Sequence, residues 1–377
     1  MLKKWMICLA IFSLSGTAVA DDSAEFEAFL QQQDTEFDIF QTQRQQEFET
    51  FVKRWQEAEQ AYREKVASQW DDPELSGKTR LVQYSDDLKQ RTVVDYEANT
   101  ITVELNQDQA DTDIQQVVAQ QLNQLGNATV AETASQDPVL INARVAIDSR
   151  SQNQVPHRKL VPGLAGTEQQ ALRNVKITRD GGKVKATVQM TGRNTQEKIE
   201  EILPVVQQNA KKWGVPPALI LAIVHTESSF NPLARSHIPA FGLMQIVPVS
   251  AGKDVSKELY GSQRLLSPDY LYDPEKNIQA GSVYLYLLLN RYFKNVVQGE
   301  SRFYMAVSAY NTGPGNVARA MSNTTRLSAA SNAANQLSPT EVYQRLQQNL
   351  PAQETRNYLT KVTKRYAQYQ THLESQP

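Results

Sequence analysis

The sequence has one cysteine among 377 residues, and this scarcity excludes several kinds of chemistry. Cys8 lies in the apolar segment from Trp5 to Leu14, which we expect to be removed on export. The mature protein would then have no disulfide, no cysteine metal site and no cysteine nucleophile. The small residues that usually precede a lipidated cysteine are missing before Cys8, so we expect no lipid attachment there.

Histidine is also rare, and the net charge is small. The four histidines lack the spacing of a metal-binding helix pair, so we expect no metal and no cofactor. A formal net charge of -2 without a long basic block gives no indication of a nucleic-acid partner. The chain contains neither a phosphate-binding loop nor the G-x-S-x-G elbow of a serine nucleophile.

The N-terminus has the pattern of a secretory signal. Two lysines precede the apolar segment, and the small residues Ala18-Val19-Ala20 follow it. A single-pass anchor is the alternative, but the apolar segment is too short to span a bilayer. We therefore expect residues 1–20 to be a signal peptide cleaved after Ala20, and the mature protein to be periplasmic.

The pattern of apolar and polar residues in the mature sequence predicts an α+β protein with three parts. Residues 21–77 form a helical lead segment, in which phenylalanines recur at helical spacing. Residues 78–192 form a small α+β domain, with one hairpin around Glu97-Ala98-Asn99, a helix over 108–125 and a second hairpin around Asp180-Gly181-Gly182. We expect the proline-containing stretch 149–167 to be a loop within it.

Residues 193–377 predict an all-α domain. A helix over 197–213 ends at Gly214, and Pro216-Pro217 begins the next. Further helices are predicted over 278–293, 303–310 and 338–350, where Ser338 and Glu341 form a capping-box pattern. We find no internal repeat.

Glu227 is the first candidate for chemistry, because it follows an apolar helical segment, Ala218 to Val224, with no other acid nearby. Partial burial would raise the pKa of its carboxyl and make it a proton donor near neutral pH. That is the general-acid half of glycoside cleavage. The alternative is a solvated or capping glutamate at a helix end.

Two further clusters contain groups that suit a sugar. Tyr310 and Asn311 end an apolar helix before a Gly-Pro-Gly turn, which is either a simple helix stop or one side of a cleft. Glu354 and Tyr358 share a helical face, which alone would be an ordinary solvated surface.

These motifs, ESSFNP with AFGLMQIVP, AYNTGPGN and ETRNYL, resemble the lytic transglycosylases of family 1, whose catalytic domain has a goose-lysozyme-like fold. The resemblance covers roughly residues 202–369. The upstream hairpin DYEANTITVE and the stretch AGKDV extend it to a membrane-bound subgroup of that family. There are two departures: the subgroup consists typically of lipoproteins, and Val247 stands where some relatives have methionine.

The resemblance implies cleavage of the β-1,4 bond between N-acetylmuramic acid and N-acetylglucosamine in peptidoglycan. Glu227 would act first as the acid and then as the base, so that the muramic C6 hydroxyl forms a 1,6-anhydro end. Ser236 would bond the catalytic carboxyl or the substrate's acetamido group, and Glu354 would bind sugar or hold Arg356. The sugar-binding residues implied by the resemblance are Ser236, Met244, Gln245, Tyr310, Asn311, Glu354 and Tyr358.

Two other functions stay open from the sequence: a lysozyme that uses water, and a non-catalytic peptidoglycan-binding or scaffold protein. The expected partner is the glycan strand of peptidoglycan. Association with the outer membrane or a cell-wall complex is an open alternative, and the sequence indicates no oligomeric state. The hypothesis for the N-terminal domain is that it extends the glycan cleft or docks a partner.

Overall fold

The computed structural model describes residues 21–106, 113–144, 158–190, 192–237 and 240–375. The chain divides into two compact units, Met1–Glu47 and Phe48–Pro377. The expected signal peptide, with Cys8, and part of the expected 149–167 loop lie outside the described residues. All the strands and all the candidate site residues belong to the second unit.

The described residues form a mixed helix-and-sheet protein. The strands are β1 (Arg80–Tyr84), β2 (Gln90–Asp95), β3 (Thr100–Leu105), β4 (Lys176–Asp180) and β5 (Lys183–Gln189). The helices up to the end of the sheet are α1 (Asp21–Ala67), α2 (Ile114–Asn127), α3 (Val130–Gln136), α4 (Pro138–Asn142) and α5 (Glu168–Leu172). The later helices are α6 (Gly192–Trp213), α7 (Pro217–Glu227), α8 (Ala251–Tyr260), α9 (Pro268–Tyr272), α10 (Pro274–Leu287), α11 (Gly299–Thr312), α12 (Pro314–Ser322), α13 (Leu327–Asn335), α14 (Pro339–Asn349) and α15 (Gln353–Glu374).

The five strands form one antiparallel sheet in the order β1-β2-β3-β5-β4. Both predicted hairpins are confirmed: β2 pairs with β3 and β4 with β5. In the centre of the sheet, Val94 lies opposite Ile101, and Ile101 lies opposite Val188. These side chains are buried, which explains the alternation of apolar and polar residues in the sequence.

The segments predicted to be helical after the sheet are helical, but their bounds differ from the predicted ones. The capping box at Ser338 and Glu341 is confirmed at the start of α14. The single helix expected over 278–293 is instead α10, which begins at Pro274, followed by a π-helical turn over Leu288–Tyr292. Among the described residues, no helix combines the length and apolarity needed to cross a bilayer.

The turn between β2 and β3 lies against the later helices. The Glu97 carboxylate is 3.5 Å from Lys361 Nζ and 3.8 Å from Arg365 Nη2, both on α15. Lys198 Nζ, on α6, donates to Asn99 Oδ1 at 3.4 Å. The sheet and the later helices thus belong to one compact unit, and the domain division at residue 192 stays a prediction.

Candidate active site

Glu227 is the last residue of α7, and its position follows from the burial of that helix. Every residue from Ala218 to Val224 is buried, because α7 packs against α6, α10 and α15. The helix ends where Ser229 and Phe230 adopt positive φ angles of 51° and 67°. Glu227 is 5% exposed, so the alternative of a solvated glutamate at a helix end is wrong.

The carboxyl of Glu227 has a raised pKa. Burial is the main cause, since it disfavours the charged form, and the negative charge of Glu354 adds to it. Lys78, whose Nζ lies 3.7 Å from Oε2, and the hydroxyl of Tyr358 act in the opposite direction and lower the pKa. Because burial prevails, the carboxyl retains its proton to higher pH than an exposed glutamate does.

Glu354 and Tyr358 lie in the first two turns of α15 and have different environments. Tyr358 is buried. Its hydroxyl lies close enough to the Glu227 carboxyl to lower the pKa of that carboxyl, although the geometry between them falls short of a regular hydrogen bond, and the hydroxyl has no other partner among the described residues. A buried hydroxyl in that state can receive a hydrogen bond from a ligand. Glu354 is exposed, and Arg356 donates to the Leu350 carbonyl and to Gln353 rather than to Glu354.

The loop that carries Met244 and Gln245 is held by Asn277, a fully buried residue of α10. The N–H of Met244 donates to Asn277 Oδ1 at 2.7 Å, and Asn277 Nδ2 donates to the carbonyls of Phe241 and Leu271, each at 2.8 Å. Gly242, with φ of 76°, has no space for a side chain, since a Cβ there would lie 2.2 Å from the Leu271 carbonyl oxygen.

Gln245 lies next in this loop with a positive φ of 48°. Its Nε2 donates to the carbonyls of Ala234 and Gly242, at 3.1 and 3.0 Å. Its Oε1 is buried without a hydrogen-bond partner among the described residues. That oxygen is therefore a second buried polar atom available to a ligand.

Tyr310 and Asn311 end α11 beside this loop. The hydroxyl of Tyr310 donates to the Met244 carbonyl at 2.9 Å. Gln245, Val247, Tyr310 and Asn311 are among the residues that line a cleft of ≈ 400 Å³. Tyr310 and Asn311 therefore face a cleft, and their part in binding a sugar stays a prediction. Glu227 is not among the residues that line this cavity.

Ser236 is the remaining predicted site residue. It is partly buried, and its Oγ accepts a hydrogen bond from the N–H of Ala240 at 3.2 Å. Its contact with the carboxyl of Glu227 or with an acetamido group stays a prediction.

Sequence reasoning missed Lys78 and Asn277. Lys78 gives no local signal, because it lies far from Glu227 along the chain. Asn277 gives none either, because asparagine is mostly exposed in proteins and its burial is decided by the tertiary structure. In the part of the chain that the structure describes, no group of three or more His, Cys, Asp or Glu side chains is placed to hold a metal.

The raised pKa of Glu227 predicts how stability depends on pH. Between the pKa of the unfolded chain, about 4.3, and the higher pKa in the folded protein, the folded state binds more protons. The free energy of unfolding therefore falls as pH rises through that window. Glu227→Gln removes this effect, so its stability relative to the wild type should increase with pH. Urea unfolding of both proteins across pH measures the difference, and a constant difference would contradict the raised pKa.

Residues 204–332 match the family model described as "Transglycosylase SLT domain". This region includes Glu227, Ser236, Met244, Gln245, Tyr310 and Asn311, whereas Glu354 and Tyr358 follow it.

Curated relatives extend the match. The chain is 34% identical over 307 residues to membrane-bound lytic murein transglycosylase C of Klebsiella pneumoniae, covering 76% of this chain and 81% of the relative. The chain therefore belongs to the lytic murein transglycosylase family. The match to the protein of the same name from Yersinia enterocolitica is 41% identical and spans about half of each protein, 49% of this chain and 51% of the relative.

Among solved structures, the lytic transglycosylase Slt of Pseudomonas aeruginosa is similar, at 23% identity and a TM-score of 0.38. The similarity covers 70% of this chain and 38% of that one.

Proposed function

We propose that the protein is a lytic transglycosylase that cleaves the β-1,4 bond between N-acetylmuramic acid and N-acetylglucosamine in peptidoglycan. The observation that carries the proposal is the buried Glu227 with its raised pKa, which interacts with Tyr310, a residue that lines the cleft of ≈ 400 Å³. Family membership supports peptidoglycan as the substrate, since the relatives are named as murein transglycosylases. We further propose a lysozyme-like catalytic domain after residue 192.

One carboxyl serves both steps of this reaction. Glu227, protonated at first, donates its proton to the bridging oxygen as the bond from C1 to that oxygen breaks. The resulting carboxylate accepts the proton of the muramic C6 hydroxyl, whose oxygen attacks C1 and closes the 1,6-anhydro ring. The substrate supplies the nucleophile, so the two-carboxylate arrangement of ordinary glycosidases is not needed.

The other site residues bind and orient the sugars. Gln245 Oε1 and the Tyr358 hydroxyl are buried acceptors without regular partners among the described residues, which suits substrate hydroxyl and amide groups. Tyr310 holds the Met244 loop from the cleft side, and Asn311 lines the cleft. Ser236 and Glu354 complete the binding site in this proposal.

We also propose that the protein acts in the cell envelope. The predicted signal peptide over residues 1–20 directs export, and the relatives are named as membrane-bound. Association with the outer membrane would place the enzyme beside its peptidoglycan substrate.

Product analysis tests the reaction type. Purified protein incubated with peptidoglycan should release fragments with 1,6-anhydromuramic ends, which are lighter than hydrolysis products by one water. Mass spectrometry of the digest measures the proportion of the two ends. A digest that contains only reducing ends would identify a hydrolase, and no release at all would favour the binding-protein alternative.

A further inference from the structure

The segment that precedes β1 is bonded to the motif that follows Glu227. Asn231 Nδ2 donates to the carbonyls of Gly77 and Lys78 at 3.3 and 3.1 Å. Arg235 donates from Nε to the Ser76 carbonyl at 3.3 Å and from its backbone N–H to the Gly77 carbonyl at 3.4 Å. Asn231 and Arg235 are buried, so the backbone at Lys78 is anchored independently of its own side chain.

From this anchored position the side chain of Lys78 reaches the carboxyl of Glu227. The two groups lie 3.7 Å apart, with the lysine side chain 40% exposed and that of the glutamate 7% exposed. One end of the ion pair is therefore buried and the other is open to solvent. An ammonium group at this distance stabilises the ionised carboxylate.

Among the described residues, Lys78 is the cation that interacts with the Glu227 carboxyl. The other titratable groups that interact with it are the neutral phenols of Tyr310 on α11 and Tyr358 on α15, together with the carboxylate of Glu354 on α15. The cations that α6 and α15 present to α7, Lys198 and Arg365, act on His225 instead.

We propose that Lys78 is a positioning residue that serves as the counter-ion of Glu227 during the reaction. The inference rests on the proposed function. Donation of the proton to the bridging oxygen leaves a carboxylate in a buried site, where a charge without a partner is costly. Lys78 stabilises and orients that carboxylate until the C6 hydroxyl returns a proton to it. Lys78 itself takes no part in the proton transfer.

The proposal makes the segment before β1 part of the active site. Lys78 lies outside residues 204–332, the region that matches the SLT domain model. That region alone would contain Glu227 without its counter-ion. This gives the N-terminal part of the chain a specific role, in addition to the predicted extension of the cleft.

The test compares Lys78→Met with Lys78→Arg in the full chain, using the pH dependence of kcat/KM for release of anhydro-ended fragments. Glu227 must be protonated to act as the acid, so activity is lost as pH rises through its pKa. Removing the cation raises that pKa. In Lys78→Met, the fall of kcat/KM on the basic side of the pH profile should therefore move to higher pH by about one unit. Lys78→Arg keeps the positive charge, so the basic side of its pH profile should match that of the wild type. If Lys78→Met does not fold, Lys78→Gln serves the same purpose.

Lys276→Met is the matched control. The side chain of Lys276 is 44% exposed and its Nζ lies 3.2 Å from Asp273 Oδ2, so it has similar exposure and a comparable ion pair. This variant should retain the wild-type pH profile. A shift of the same size in Lys276→Met would indicate a general charge effect and would overturn the role of Lys78.

A second measurement separates this inference from the proposed function. The titration of Glu227 can be followed by carboxyl NMR, with the signal assigned by its loss in Glu227→Gln, in both the wild type and Lys78→Met. If the wild type is active, and Lys78→Met has the same basic limb in its pH profile and the same titration of Glu227, the inference alone is overturned. A wild type that releases no product overturns the proposed function, whatever the titration shows.

Discussion

Replacing Glu227 with glutamine is expected to lower the rate of fragment release from peptidoglycan by on the order of 10³- to 10⁴-fold. Glutamine keeps the size of the side chain but neither donates nor accepts the required proton. The loss should lie at the upper end of the range for acid-base residues, because the same carboxyl acts in both steps of the proposed reaction. Turbidity clearance of purified peptidoglycan measures the rate.

Glu201→Gln is the control for this prediction. Glu201, on α6, also has a pKa raised by burial, but it lies outside the site. The control should retain wild-type activity, which would show that position as well as pKa decides the role. Equal activity of Glu227→Gln and the wild type would remove Glu227 from the mechanism.

Asn277→Ala is expected to be the most destabilising substitution near the site. It leaves the Met244 N–H and the Leu271 carbonyl without this partner in a buried region, while the Phe241 carbonyl keeps its hydrogen bond from the Ile246 N–H. Each of these two unsatisfied buried groups costs about 1–3 kcal/mol, so the free energy of unfolding should fall by about 2–6 kcal/mol in total. The midpoint of urea unfolding measures the loss. Activity should also fall below the unfolding temperature, because the released loop carries Gln245.

Asn290→Ala provides the comparison for that measurement. Asn290 donates one hydrogen bond, to the Tyr286 carbonyl at 3.2 Å, from an exposed position. Its loss should change the free energy of unfolding by no more than about 0.5 kcal/mol. Similar losses in the two variants would mean that the Asn277 network does not hold the loop.

Much of the secondary structure could be predicted because its signals are local. The hairpin around Glu97-Ala98-Asn99 and the capping box at Ser338 each depend on a few neighbouring residues. The predicted first and last residues of the helices are less accurate. The helix expected over 278–293 divides into α10 and a π-helical turn, since the apolar pattern alone does not distinguish the two hydrogen-bond registers.

The candidate site could be predicted only in part. Met244, Gln245, Tyr310 and Asn311 lie together, because Tyr310 bonds the Met244 carbonyl and the cleft joins the other two. The motifs identified these residues without showing their contacts. The roles of Ser236 and Glu354 stay predictions, and Arg356 is held by Gln353 and Leu350.

The sequence by itself determined that an apolar helix ends in a single carboxyl, since the residues from Ala218 to Val224 must be removed from water. Only the tertiary structure decided how that carboxyl is tuned. Burial against α15 raises its pKa, and Lys78 reaches it from a segment that precedes the whole sheet in the chain. Electrostatic interactions act through space over a few ångströms, so their partners cannot be found from neighbours in the sequence.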